Sequence, residues 1–251
     1  TEAPPPAAVQ TLRVTRLDLL GEQRFVIRDS APSAERRAWV MPDLATCPQC
    51  LAEILNPEDR RFGYPFTNCT QCGPRYSIME SLPYDRARTT MRDFVMCDPC
   101  RREYEDPRQR RFHAQPNACS VCGPRLTSWD SHGAVLAGGA SALESAITAI
   151  RQGQVVAVKG LGGFHLLVDA FAETAVAALR QRKQRPDKPL AVMFPSVEQV
   201  MDHCQVSALE RQLLVSAAAP IVLLSRHPRG AAGASLAPSI APGNPLLGCL
   251  L

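Results

Sequence analysis

Lysine is nearly missing from this chain of 251 residues: 25 arginines stand against three lysines, Lys159, Lys183 and Lys188. Long apolar runs are missing too. No stretch approaches the roughly 18 residues that a helical membrane span needs, and the first residues carry no secretory signal. A dominant charge is also absent. The formal net charge is only +4, and across residues 41–125 twelve arginines face eleven acids. An electrostatic nucleic-acid clamp needs a basic stripe, so that balance argues against nucleic acid as a partner. Together these absences point to a soluble cytoplasmic protein that uses no membrane, long enough for one sizeable domain and smaller modules.

Cysteine, by contrast, is patterned. Four Cys-x-x-Cys pairs fall at Cys47/Cys50, Cys69/Cys72, Cys97/Cys100 and Cys119/Cys122, with eighteen residues inside each half and a shift of fifty between halves. The flanks repeat as well: Asn56-Pro-Glu-Asp-Arg-Arg-Phe62 is echoed by Asp106-Pro-Arg-Gln-Arg-Arg-Phe112, and Cys72-Gly-Pro-Arg75 by Cys122-Gly-Pro-Arg125. A structural zinc ion takes four thiolates in a tetrahedron, and two Cys-x-x-Cys turns supply them at zinc-ribbon spacing. Disulfides are the other reading of eight cysteines, but four repeated pairs without a signal peptide suit metal better. Two structural zinc ions are therefore expected, paired either sequentially or interleaved across the repeats, with the sequential grouping preferred. Few aliphatic residues separate the pairs, so metal binding and folding should be one event. Gly73 and Gly123, after the second turn of each unit, should permit a backbone twist that turns amides toward sulfur. Cys204 and Cys249 stand alone in apolar surroundings and read as small buried residues.

Either side of this module the pattern changes. Residues 9–17 and 24–28 alternate like two short strands, too small to be stable alone, and look like the end of a domain whose beginning is absent. Residues 31–46 and 127–140 read as linkers. From 141 onward helices and strands alternate, giving a mixed α/β domain. Ser141 and Glu144 suggest a capping box opening a helix over 142–151, closed by Gly153. A buried strand over 154–158, a helix over 172–183, a strand over 190–194, a helix over 207–217 and a strand over 220–224 follow. The chain then stops in an apolar run, 245–251, as if inside a domain.

The three lysines cluster in that α/β part. Lys159 precedes a glycine-rich turn with Gly160, Gly162, Gly163 and His165, while Lys183, Arg185 and Lys188 end a helix and lead into the next strand. Where arginine is so favoured, the surviving lysines are candidates for roles that need a compact ammonium. Glycine amides can approach an anion closely and the cations can neutralise phosphate oxygens. The plainer reading is a solvated basic face complementing a helix C-terminus, with a structural His165.

At this point the pattern becomes recognisable. The doubled Cys-x2-Cys-x18-Cys-x2-Cys, each copy ending in Cys-Gly-Pro-Arg, followed by Lys159-Gly-Leu-Gly-Gly-Phe-His-Leu166 and Arg182-Lys-Gln-Arg-Pro-Asp-Lys-Pro189, resembles the HypF family of hydrogenase maturation carbamoyltransferases. That resemblance implies a multi-domain α+β chain. Residues 1–30 would be the last strands of an acylphosphatase-like domain, 47–126 a tandem zinc-finger module with four cysteines per finger, and 141–251 an incomplete YrdC-like nucleotide-binding domain. It implies an ATP-dependent enzyme, with magnesium accompanying ATP. Carbamoyl phosphate would be converted to carbamoyl-adenylate, and the carbamoyl group passed to a cysteine of a HypE-like partner for cyanide ligand synthesis. Lys159, Gly162, Gly163, His165, Lys183, Arg185 and Lys188 would hold the nucleotide. Two further readings stay open: a threonylcarbamoyl-adenylate synthase for transfer RNA modification, and a zinc-stabilised docking scaffold without activity of its own.

Overall fold

The computed structural model of the protein describes residues 11–16, 18, 21, 23, 40–227 and 235–251. The expected strands of residues 1–30 fall mostly outside that set, and residues 11–16 are exposed and form no strand.

Each finger starts with a short helix launched from a cysteine. Helix α1 (Pro48–Leu55) follows Cys47 and α2 (Asp98–Glu105) follows Cys97, both cysteines in extended backbone. Pro48 and Pro99 lie in the first turns, where a fixed φ suits the helix and a missing amide costs nothing. At eight residues each, such helices do not persist alone; the clusters at their N-termini and contacts with the facing finger hold them. The symmetry extends to the turn beyond each helix, where Gly63 (φ +65°) and His113 (φ +51°) occupy equivalent left-handed positions. His113 is not glycine, and its ring stacks on Tyr104 with centroids 4.7 Å apart. Between the fingers, Ile78 and Met91 form a small core with Ala118. Arg86 ties that connection to the second finger by donating to the carbonyls of Gln115 (2.5 Å) and Asn117 (2.9 Å).

Described residues in both stretches read as linkers carry structure. Leu44 and Gly73 exchange backbone hydrogen bonds at 3.1 and 2.9 Å, and Asp43 Oδ1 accepts from the Arg75 amide at 2.6 Å, so this approach to Cys47 belongs to the first finger. Residues 127–140 hold a hairpin, β1 (Thr127–Trp129) with β2 (Val135–Gly138). Its turn is set by Asp130, whose Oδ1 accepts from the His132 and Ala134 amides at 2.8 Å each. Strands of three and four residues are too short to show a period. Helix α3 (Ala140–Arg151) begins earlier than the proposed capping box would have it and has no side-chain cap. Gly139, at φ +60°, turns the chain straight out of β2, which leaves Ser141 inside the first turn. The helix end is as read, with Gly153 at φ +75° just beyond it.

Strands β3 (Val156–Lys159) and β4 (Phe164–Leu167) pair antiparallel as their own two-stranded sheet. The expected buried strand is thus half exposed, and all four β4 residues are exposed. Helix α4 (Glu173–Lys183) matches its expected span and ends on Gln184 in the left-handed region. Beyond it come β5 (Val192–Met193), α5 (Val197–Met201), α6 (Ala208–Leu214), β6 (Val222–Ser225) and β7 (Leu246–Leu250). The capping box lies on α6, where Ser207 and Glu210 bond reciprocally. Helix α5, capped by Ser196, had no counterpart in the sequence reading.

The apolar run at 245–251 becomes the middle strand of a mixed sheet ordered β5-β7-β6, parallel to β5 and antiparallel to β6. Leu247, Gly248 and Cys249 are all buried there, the mark of a strand covered on both faces. Around it Val176, Phe194, Val200, Leu224 and Ile240 make the main core. Cys204 and Cys249, isolated in sequence, meet in that core with sulfurs 3.9 Å apart.

Candidate functional site

Two clusters of four sulfurs gather from sequential pairs. Cys47, Cys50, Cys69 and Cys72 form one, and Cys97, Cys100, Cys119 and Cys122 the other, with the sulfurs of each within 4.8 Å of one another. In the first cluster, Cys47–Cys69 is 3.7 Å and Cys69–Cys72 is 3.8 Å. In the second, Cys97–Cys119 is 3.7 Å, Cys119–Cys122 is 3.8 Å and Cys100–Cys122 is 3.6 Å. A disulfide would need sulfurs about 2.05 Å apart. Four thiolates about 2.3 Å from one ion stand about 3.8 Å from each other in a tetrahedron. Both clusters therefore fit a tetrahedral metal with all four positions taken by protein.

Within each finger the first pair rides on the helix start and the second on a tight knuckle. The Gln71 amide donates to Cys69 Sγ at 3.3 Å, as expected of an amide turned toward sulfur. The two glycines after the knuckles act differently. Gly73 sits at φ +91°, and a Cβ there would also lie 2.6 Å from Asn68 Cβ. Gly123 instead is needed for space: a Cβ would fall 2.2 Å from Tyr64 Oη and 2.5 Å from Ala118 Cβ. Gly123→Ala is expected to lower the stability of the metal-loaded protein by about 1 to 3 kcal/mol, the cost of overpacking, and Gly73→Ala by at least as much. Gly63→Ala, with nothing within 4 Å, should cost only the left-handed strain, about 1 kcal/mol. Thermal unfolding of the three variants checks that order.

The repeated Arg-Arg-Phe was visible in the sequence and went unused there. In three dimensions each arginine pair crosses to the opposite finger. Arg61, 2% exposed, donates through Nη1 and Nη2 to Glu103 at 3.1 and 2.5 Å, and through Nε to the Ala118 carbonyl at 3.1 Å. Arg60 donates to Cys100 Sγ at 3.4 Å and to Glu103 at 2.6 Å. Fifty residues on, Arg111 pairs with Glu53 and donates to the Asn68 carbonyl at 2.9 Å, and Arg110 donates to Cys50 Sγ at 3.1 Å and pairs with Glu53. Burial pushes the Glu103 carboxyl up, but hydrogen bonds from Arg61 and Arg60 outweigh it and hold its pKa at about 2. Glu53 is likewise lowered by Arg111 and Arg110 against the effect of burial.

The basic residues of the α/β unit divide between two places. Lys159, Gly162, Gly163 and His165 lie on the β3–β4 hairpin, whose turn is closed by Gly160 N donating to Gly163 O at 2.8 Å. His165 Nε2 lies 3.2 Å from where a Cβ on Gly160 would be, so that glycine lets the imidazole fold over the turn. Lys183, Arg185 and Lys188 lie on the α4–β5 connection, and both lysines are exposed. Among the described residues no hydrogen bond or ion pair joins the hairpin to that connection. Arg185 is engaged locally, donating to the carbonyls of Lys188 (3.2 Å) and Pro189 (2.7 Å). Arg180, which the plainer reading places with Arg182, Lys183 and Arg185 on a solvated face at the end of α4, is instead buried. It is 8% exposed and donates to the carbonyls of Arg185 (2.8 Å), Pro186 (3.1 Å), Lys188 (3.2 Å) and Ile240 (2.9 Å), as well as that of Ser239. The basic connection is thus shaped from beneath by a buried guanidinium. Its only sequence signal was an arginine on the apolar side of α4.

Comparison with known proteins agrees with these geometries. The HypF finger family profile matches residues 46–79 and again 96–129, and the Sua5/YciO/YrdC profile, described as telomere recombination, matches 148–251. A carbamoyltransferase HypF of Synechocystis sp. is 54% identical over 99% of this chain and 32% of its own length. One of Rhodobacter capsulatus is 51% identical over 100% of the chain, again 32% of its own length. This chain therefore spans about a third of the curated relatives it matches. Two solved structures superpose on it: T. kodakarensis HypF (TM-score 0.81, 43% identity, 86% of this chain and 28% of that one) and full-length HypF in the phosphate- and nucleotide-bound form (TM-score 0.76, 47% identity, 84% and 27%). No helix among the described residues is long and apolar enough to cross a membrane.

Proposed function

Because this chain belongs to the HypF family, we propose that it serves an ATP-dependent carbamoyltransferase. The enzyme would convert carbamoyl phosphate to carbamoyl-adenylate and deliver the carbamoyl group to a cysteine of a HypE-like protein, for the cyanide ligands of nickel-iron hydrogenase. The observation that carries this reading is the presence of two HypF fingers and a Sua5/YrdC-type unit in one chain. A structural relative described as phosphate- and nucleotide-bound supports placing nucleotide chemistry here. Threonylcarbamoyl-adenylate synthesis draws on the same Sua5/YrdC match and is disfavoured by the fingers.

In this reading the fingers hold two zinc ions through eight thiolates. Zinc there supplies structure, because four sulfurs leave no position for water or substrate. Adenylation depends on neutralising and aligning phosphates more than on covalent help. Lys159, Lys183, Arg185 and Lys188 would, together with magnesium, neutralise the phosphates of ATP, while the amides at Gly162 and Gly163 and the imidazole of His165 bound the turn beside them.

The test is carbamoyl-phosphate-dependent conversion of ATP to AMP in the complete reading frame that encodes this chain. Lys183→Ala should reduce it about a hundredfold or more, the loss of one preorganised electrostatic donor, with zinc content and melting unchanged. Lys183→Arg should also lose activity, since a planar fork replaces a compact ammonium. Arg185→Ala should lower activity and loosen its connection, because its guanidinium also binds two carbonyls. An exposed ion pair contributes only about 0 to 1 kcal/mol. Normal turnover in all three variants would therefore leave the cluster as a solvated face and move the nucleotide elsewhere.

A further inference from the structure

A zinc ion ringed by four thiolates carries a net double negative charge, and groups in the surrounding shell decide how well that charge is tolerated. Around these clusters, the shell comes from the opposite finger. Cys100 of the second finger receives hydrogen bonds from Arg60 (3.5 and 3.4 Å) and Arg61 (3.8 Å), both on the first finger. Cys50 of the first finger receives them from Arg110 (3.1 Å) and Arg111 (3.8 Å), both on the second, and Arg110 also reaches Cys47 at 3.8 Å. Each pair is oriented by a glutamate on the helix of the finger it visits, Glu103 for Arg60 and Arg61 and Glu53 for Arg110 and Arg111. The two sets share one plan, an arginine pair on the facing finger's helix cysteine and helix glutamate, exchanged between repeats; the reach of Arg110 to Cys47 is the first cluster's addition.

The charges argue for a metal role over a ligand role. A cleft of about 510 Å³ lies between the fingers, bordered by both arginine pairs and both glutamates. The paired arginines on its walls are committed to carboxylates and sulfurs, so none of them is left to bind an incoming anion. What they do instead is offset thiolate charge. The Nη–Sγ separations, 3.1 to 3.8 Å, are those of hydrogen bonds to sulfur, and charge-assisted bonds of this kind are the stronger sort.

We propose that the two metal centres are reciprocally held: each finger's arginine pair is the outer shell of the other finger's thiolates, so each finger keeps its metal firmly only while the opposite finger is folded. This rests on the zinc reading above. A finger that loses its zinc loses the fold that aims its arginines, and the opposite centre then loses part of its charge compensation. Release of the two ions is therefore cooperative, although no ligand is shared.

The test uses the zinc-loaded protein, an excess of a zinc chelator, and N-ethylmaleimide with peptide mass spectrometry to identify which cysteines become free. Arg60→Gln and Arg110→Gln are the variants of choice, since these side chains are 33% and 29% exposed and the fold does not close over them. Arg110→Gln should speed release from Cys47, Cys50, Cys69 and Cys72 about tenfold or more, the scale of outer-shell effects on metal sites, with Cys97 to Cys122 released only afterwards, once the first finger has emptied, and then faster than in the wild type. Arg60→Gln should do the reverse. Arg60→Lys and Arg110→Lys keep the charge and serve if a glutamine variant fails to fold; their effects should be smaller and in the same crossed sense. Alkylation that begins in the mutated residue's own finger, emptying of the facing cluster with the other still released at its wild-type rate, or wild-type rates at both clusters would each overturn the coupling. A wild-type protein with no bound zinc would overturn the zinc reading and the coupling together, whereas two zincs with wild-type-like variants would overturn the coupling alone.

Discussion

Removal of both metals is expected to unfold residues 44–125 and to leave the α/β core standing. The fingers bury few apolar groups besides their own cysteines and the small Ile78–Met91–Ala118 cluster, the other buried side chains being mostly polar, such as Arg61, Arg111 and Asn117, and helices of eight residues have no stability of their own. The metal must therefore supply most of the folding energy, and structural zinc sites in peptides contribute about 10 to 16 kcal/mol at neutral pH. The core around Val176, Phe194, Val200, Leu224 and Leu247 contains no metal ligand. Hydrogen exchange before and after chelation should show protection lost throughout α1, α2 and both knuckles, and kept in α4, β6 and β7. Equal loss in both parts would mean that the fingers and the core fold as one unit, and unchanged protection in the fingers would remove the metal from their folding. A single ligand change is more selective. Cys47→Ser should reduce two bound ions to one by elemental analysis, because its sulfur belongs to a cluster that includes none of Cys97 to Cys122, and the remaining ion should be lost to a chelator more readily than in the parent.

The second large effect is expected at Arg180. Its guanidinium donates to five backbone carbonyls drawn from two separate segments, 185–188 and 239–240. Alanine would leave several of them buried without a donor, at about 1 to 3 kcal/mol for each group that water cannot reach. A total loss of about 3 to 5 kcal/mol is expected in chemical denaturation. Lysine should recover little, since one ammonium cannot span acceptors that a planar fork reaches on three nitrogens. The position also separates folding from function: Arg180 touches the inner side of the connection that presents Lys183, Arg185 and Lys188. If those cations hold the nucleotide as proposed, Arg180→Lys in the complete reading frame should therefore lose carbamoyl-phosphate-dependent ATP turnover more steeply than it loses helix content. Stability within about 0.5 kcal/mol of the parent, the range of a neutral surface change, would show that the carbonyls find other donors and that the clamp is dispensable.

The two four-cysteine clusters were legible in the chain before any fold was known. Four cysteines at Cys-x2-Cys-x18-Cys-x2-Cys can satisfy one tetrahedral ion within a single local unit, and a fifty-residue echo of the whole pattern makes two such units, so which sulfurs gather followed from spacing. The mixed α/β character, the span of α4 and the stop at Gly153 were readable for the same reason, being governed by short-range periodicity and helix-end chemistry. Which elements meet was a matter of packing. Nothing in residues 245–251 says that they form the middle strand, because strand order is set by long-range pairing. The hairpin at 127–138 was hidden by strands too short to alternate, and the start of α3 was moved by a positive φ at Gly139 that no capping pattern encodes. Most of all, the two Arg-Arg-Phe copies served in the sequence only to mark the repeat. Only the packing of one finger against the other sends Arg60 and Arg61 to Glu103 and Cys100, and Arg110 and Arg111 to Glu53 and Cys50. A repeat along the chain specifies what each unit contains. The contact between units, where buried cations must find anions on the facing copy, exists only once they are folded together.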